Sequence, residues 1–210
     1  MLHIVFRVAG VTFLVYIAVI AKLGSSLFSF HPVLMTFSFT GAMSEALFIF
    51  TKYGVASRST HRTRVTAHWI MIGLAALCHS VGYAVIYYNK EVNNKPHHTS
   101  WHGFLGFIVS ILFWIQVSFG FFAKYPLLLR SFLSVIKIRT SHALFGILIF
   151  ISGIGTMILG LWSSWFVSNA SVTGFYGALG LYVVLVFAAI FVLVEKYSKI
   201  LCRGVQAYFQ

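Results

Sequence analysis

Four histidines set what this sequence can do. His31, His68, His102 and His142 follow one another at intervals of 37, 34 and 40 residues, and each stands near the beginning of a long apolar run. An ionisable side chain is expensive inside a bilayer, so one per run points to a function that compensates it. Neutral imidazole is the commonest metal ligand among side chains. A pair of histidines can hold haem iron, and histidine pairs also bind copper or zinc.

The elements that must position these residues are membrane helices. Of 210 residues 60% are hydrophobic and only 9% charged, too little polar surface to cover a soluble globule. Runs of about 20 apolar residues, enough to cross a ~30 Å hydrocarbon core, are predicted at residues 4–21, 31–50, 66–88, 101–123, 140–162 and 173–194. The fold class expected is therefore an all-α integral membrane protein of six transmembrane helices in a single domain, residues 1–210.

A net charge of +12 invites a nucleic-acid partner, but the positions of the charges exclude it. With six crossings, one side collects Arg7, Lys52, Arg58, Arg62, Arg64, Lys124, Arg130, Lys137, Arg139, Lys196, Lys199 and Arg203, and the other only Lys22, Lys90 and Lys95. The positive-inside rule then places both termini in the cytoplasm.

Alternating helix direction sorts the histidines into two pairs. His31 and His102 open the second and fourth helices at the outer face, and His68 and His142 open the third and fifth at the cytoplasmic face. Helices two to five would form a four-helix haem-binding core, with the first and sixth flanking it. Two axial imidazoles leave no open position on a haem iron, which suits electron transfer rather than oxygen activation. Two such irons would lie roughly 15 to 20 Å apart. The sequence has no Cys-x-x-Cys-His attachment site, so any haem is non-covalent. The second ring nitrogens need partners, for which Thr66, Ser141 and backbone carbonyls are candidates.

His79 lies eleven residues beyond His68 on the same helical stripe, about 16 Å farther across. It can be a rival ligand of the outer haem, a propionate or proton partner, or a hydrogen-bonding residue between helices; the last is the favoured reading. Arg62, Arg64, Lys137 and Arg139 gather beside the inner pair as a mouth for an anion, although positive-inside topology accounts for the same charges. Lys95, His97 and His98 precede His102 closely enough to frame an acceptor on the outer side. Cys78 and Cys202 are too far apart along the fold for a disulfide, and Asn169 begins a glycosylation sequon close to the membrane.

The motifs resemble those of the cytochrome b561 family. His31-Pro32-Val33-Leu34-Met35 with Glu45-Ala46-Leu47 looks like the family's second helix, Arg64 to Trp69 its third-helix start, Trp101-His102-Gly103-Phe104-Leu105-Gly106 its fourth, and His142 with Gly146 its fifth. The segment from Gly24 to His31 and the loop from Leu161 to Gly174 resemble the short members, the cytochrome b561 domain-containing transmembrane reductases. The resemblance implies two non-covalent haem b groups and cytosolic ascorbate as donor. It implies ferric iron chelate or monodehydroascorbate radical as acceptor on the lumenal or extracellular side, in the membrane of the endoplasmic reticulum or a vesicle rather than the plasma membrane. A second copy of the chain is a candidate partner. The alternative is a haem-containing relay subunit of a larger redox complex with no substrate reaction of its own; a histidine-lined metal channel is a third reading.

Overall fold

Long helices dominate the chain because apolar side chains occupy nearly every face of its runs. The computed structural model describes residues 2–129 and 132–208, the backbone alone being described at residues 2, 129, 188, 192–193, 195–197 and 199–208. Arg130 and the side chains of Lys196, Lys199, Cys202 and Arg203 thus lie outside the described residues. The α-helices are α1 (Leu2–Ala21), α2 (Phe30–Thr36), α3 (Ser44–Phe48), α4 (His61–Val92), α5 (Trp101–Lys124), α6 (Val135–Leu161), α7 (Ser164–Asn169) and α8 (Val172–Tyr208). No strand occurs among the described residues.

Among the described residues, five helices are long and apolar enough to cross a membrane: His3–Ala21, His61–Val92, Trp101–Lys124, Val135–Leu161 and Val172–Phe191. The run expected at residues 31–50 is helical from residue 30 to 48, but as α2, a π-helix over Phe37–Met43, and α3 in unbroken succession. α1 shows why such helices suit lipid. Phe6, Ala9, Phe13 and Ile17 are buried in the bundle, while Val8, Val11, Val15 and Val19 on the other side are exposed and equally apolar.

Hydroxyl caps move two helix starts outward from the expected positions. Thr60 accepts a hydrogen bond from the Thr63 amide and begins α4 at His61; Ser134 accepts from the Lys137 amide and begins α6 at Val135. His68 and His142 therefore sit seven residues inside their helices, whereas His31 and His102 are the second residues of α2 and α5. Arg62, Arg64, Lys137 and Arg139 consequently belong to the opening turns of helices rather than to loops.

Packing leaves an asymmetric bundle. α2 and its π continuation lie on α4, α5 lies on α6, and α1 with α8 bridges α2 to α6, while α4 and α5 touch at few positions. Buried residues of α1 and α8, among them Phe13 and Tyr182 with ring centres 4.8 Å apart, share one core with Phe39, Phe113 and Phe150. The buried core thus extends to the first and last helices and is not confined to the four histidine-bearing segments.

Two charges in this apolar surrounding neutralise each other. Arg7 of α1 donates to both carboxylate oxygens of Glu45 in α3, at 2.5 Å and 2.8 Å, and Arg7 Nη2 also reaches the Tyr53 carbonyl at 3.2 Å. This fork ties α1 to the histidine-bearing segment and to the loop after it. Arg7→Met leaves Glu45 unpaired and is expected to destabilise the protein by about 2 kcal/mol, between the values for exposed and buried pairs. Thermal unfolding in detergent checks this; the double variant Arg7→Met, Glu45→Leu should recover most of the loss.

Candidate functional site

The four histidines meet as two pairs, at opposite ends of the bundle. His31 and His102 have ring centres 6.3 Å apart with planes at 79°, and His68 and His142 repeat this at 6.3 Å and 82°. The pairing is that expected from helix parity. The end carrying His68 and His142 is the basic end, and the other is the far end.

Each ring is held from behind by a neighbouring helix. His31 Nδ1 donates to the Gly82 carbonyl at 2.9 Å, His68 Nδ1 to the Ala46 carbonyl at 2.9 Å, and His102 Nδ1 to the Thr156 carbonyl at 2.8 Å. A carbonyl oxygen only accepts, so Nδ1 carries the proton in all three rings and Nε2 keeps its lone pair. His142 Nδ1 instead lies 3.0 Å from Nε2 of Gln116. Of the partners anticipated from sequence, backbone carbonyls serve three rings. The Thr66 hydroxyl donates to its own helix at Arg62, and His142 takes Gln116 rather than Ser141.

A regular spacing underlies these contacts. From His68 to Gly82 on α4, from His102 to Gln116 on α5 and from His142 to Thr156 on α6 is fourteen residues in each case, about 21 Å of helix. From His31 to Ala46 is fifteen, and the π-helix Phe37–Met43 lies between them. A π turn absorbs an extra residue within a helix and keeps the residues after it in register. Antiparallel neighbours thereby clasp each other twice: α4 with the α2–α3 segment, and α5 with α6.

Both pairs are dimensioned for a metal between two imidazoles. Metal–nitrogen bonds of about 2.0 to 2.1 Å, with roughly 1.1 Å from nitrogen to ring centre, put the centres roughly 6.3 Å apart. Among the described residues no cluster of three or more His, Cys, Asp or Glu side chains could hold a bare metal ion. Two axial imidazoles suit a metal whose other positions are filled by a macrocycle. Room beside the rings comes from glycine: a Cβ at Gly160 would stand 3.1 Å from His102 Cε1, and one at Gly120 3.2 Å from His142 Cε1.

At the far end the rings open into a cavity of about 290 Å³, lined also by Phe39, Val109 and Gly153 and by Lys90, His97 and His98. His97 Nε2 contacts Glu91 Oε1 at 2.8 Å and its ring stacks on Tyr87 at 4.4 Å, while His98 packs on Phe107 at 4.5 Å. Lys95 does not line the cavity: the chain turns at Asn94, φ 50°, and leaves Lys95 exposed. Lys90, which sequence reasoning passed over, lines it instead and donates from Nζ to the Pro96 carbonyl at 2.9 Å.

His79 corrects the sequence reading. It is buried, stacks on Phe113 at 4.7 Å, meets the edge of Phe39 at 5.8 Å, and neither ring nitrogen has a hydrogen-bond partner. The favoured hydrogen bond between helices is absent, and the ring lines the far-end cavity together with His31 and His102. At the basic end Arg62, Lys137 and Arg139 are exposed; Arg64 is half-buried, with its Nε buried and unpaired, one turn before His68 on α4. Asn169 ends α7, its side-chain amide donating to the Trp165 carbonyl at 2.8 Å.

Comparisons with known proteins place the chain in a family. The sequence profile of eukaryotic cytochrome b561 matches residues 30–167, which include all four paired histidines. The transmembrane reductase CYB561D2 of Bos taurus is 37% identical over 163 residues, 77% of this chain and 72% of the relative, and its Homo sapiens counterpart matches to the same extent. The transmembrane ascorbate-dependent reductase CYB561 of Mus musculus is 29% identical over 158 residues, 75% of this chain and 61% of the relative. The chain belongs to the cytochrome b561 family, in its branch of CYB561D transmembrane reductases.

Proposed function

We propose that this chain is a six-crossing, single-domain oxidoreductase with both termini in the cytoplasm. It takes electrons from ascorbate at the basic end and delivers them to ferric iron chelate or monodehydroascorbate radical at the far end. The observation that carries the reading is the repeated geometry of the two histidine pairs: the same 6.3 Å separation at opposite ends of the bundle. His68 with His142 would hold one haem b and His31 with His102 a second. A haem held by two histidines would supply one-electron transfer.

The roles of the surrounding residues derive from their chemistry. The carbonyls of Gly82, Ala46 and Thr156 fix three rings in the tautomer that frees Nε2 for a metal. Apolar and aromatic side chains around the pairs, Phe28 at His31, Phe50 at His68 and Phe119 at His142, exclude water. Arg64 offers an unpaired N–H one turn from His68, a donor for an anionic substrate such as ascorbate, and Arg62 and Arg139 add long-range attraction. At the far end, Lys90 and His98 line the cavity that leads to His31 and His102 and would meet an anionic or metal-bearing acceptor there.

The absorption spectrum and haem-to-protein ratio of the purified chain, before and after ascorbate, test this reading. Two haems per chain with ascorbate-reducible low-spin spectra are expected; a ratio of one would sink the paired assignment. His68→Ala or His142→Ala should each leave about one haem per chain and abolish fast reduction by ascorbate. His31→Ala or His102→Ala should leave that reduction in place. Because His79 is held in an aromatic stack, His79→Phe should retain both haems. Arg64→Ala should keep both haem spectra and raise the ascorbate concentration for half-maximal reduction about tenfold, measured by stopped flow.

A further inference from the structure

His142 differs from the other three paired histidines in what stands behind its ring. At the fourteen-residue station where α4 and α6 present the Gly82 and Thr156 carbonyls, α5 presents the side-chain amide of Gln116. Gln116 is 8% exposed in the middle of a long apolar helix, a position where an amide is costly unless its ends are paired. Its Nε2 lies 2.6 Å from the His142 backbone carbonyl and 3.0 Å from His142 Nδ1. Gly146 makes room for it, since a Cβ there would stand 3.0 Å from Gln116 Nε2.

The chemistry of an amide differs from that of a backbone carbonyl in one respect that matters here. Carbonyls can only accept, so they permit a single tautomer. Gln116 has a donating and an accepting end, and half a turn about its last bond exchanges them. With Nε2 towards His142, the amide donates to the backbone carbonyl and the imidazole Nδ1 is the acceptor; turned over, the amide gives up the carbonyl bond, Oε1 accepts from Nδ1–H, and Nε2 of the ring is free for a metal. An Nδ1–H given to an acceptor strengthens a histidine as a metal ligand, and hydrogen bonding around a haem's ligands sets its potential.

We infer that Gln116 is a positioning residue that fixes the ring orientation, tautomer and donor strength of His142, and so tunes one haem of the pair independently of the other. The inference rests on the proposed assignment of His142 as an iron ligand. Gly146 belongs to the same device, because its missing side chain is what admits the amide.

Spectroelectrochemical titration of the two haems in the purified holoprotein, with electron paramagnetic resonance of the oxidised form, tests it. Gln116→Glu supplies a stronger acceptor to Nδ1–H and should lower the midpoint potential of one haem. Gln116→Leu removes the acceptor and should raise that same potential. The g-values of that haem should move in both variants while the other haem stays put. Gly146→Ala, which crowds the amide out, should shift the potential in the direction of Gln116→Leu, and together with Gln116→Glu it decides the matter where Gln116→Leu does not fold. Unmoved potentials, or equal shifts of both haems, overturn the inference. His142→Ala measured in parallel separates the two claims: loss of one haem upholds the ligand assignment whatever Gln116 does, and retention of both overturns the assignment itself.

Discussion

A histidine ring in a membrane helix is useful as a metal ligand only if its second nitrogen is anchored, and that requirement organises the bundle. Three of the paired rings are anchored on carbonyls of a neighbouring antiparallel helix, at 2.8 to 2.9 Å, and the fourth on a buried glutamine. A ring pinned on a carbonyl has one tautomer, and all four rings have little rotational freedom, so the distance across each pair is set by helix packing rather than by side-chain choice. Helix packing in turn is set by small residues where rings need space, Gly120 and Gly160, and by the clasp of α4 on the α2–α3 segment and of α5 on α6.

The π-helix is part of the same constraint. A backbone carbonyl that serves His68 must come from the segment that carries His31, and the interval there is one residue longer than on the other three helices. In a regular α-helix that extra residue would rotate Ala46 by about 100° away from its target. The widened turn over Phe37–Met43 takes up the difference and seats Phe39 against His79, Phe113 and Gly153, between the two histidine pairs. Arg7 and Glu45 then tie α3, the last stretch of this irregular segment, to α1.

Apolar length and histidine spacing made most of the plan legible in the sequence, because helix direction alternates and a residue near a helix start is thereby assigned to an end. Less legible were features that depend on single hydrogen bonds. Thr60 and Ser134 were available as capping signals and would have placed the starts of α4 and α6 correctly, with the basic residues on their first turns. Gln116, a lone amide within an apolar run, carried the signal that an intramembrane polar residue always carries, but its partner His142 becomes evident only when α5 and α6 are laid side by side. His79 shares a stripe with His68, yet what it meets depends on the π turn that delivers Phe39, and no periodicity reveals that.

In the proposed function electrons cross the bilayer within one chain, from one histidine pair to the other. Sealed vesicles reconstituted with the purified holoprotein, loaded with ascorbate and given membrane-impermeant ferricyanide outside, test that crossing. The predicted result is ferricyanide reduction that requires the chain, proceeds without leakage of ascorbate, and is lost when either pair is broken. Ascorbate-reduced haem inside such vesicles with no reduction of the external acceptor would contradict it.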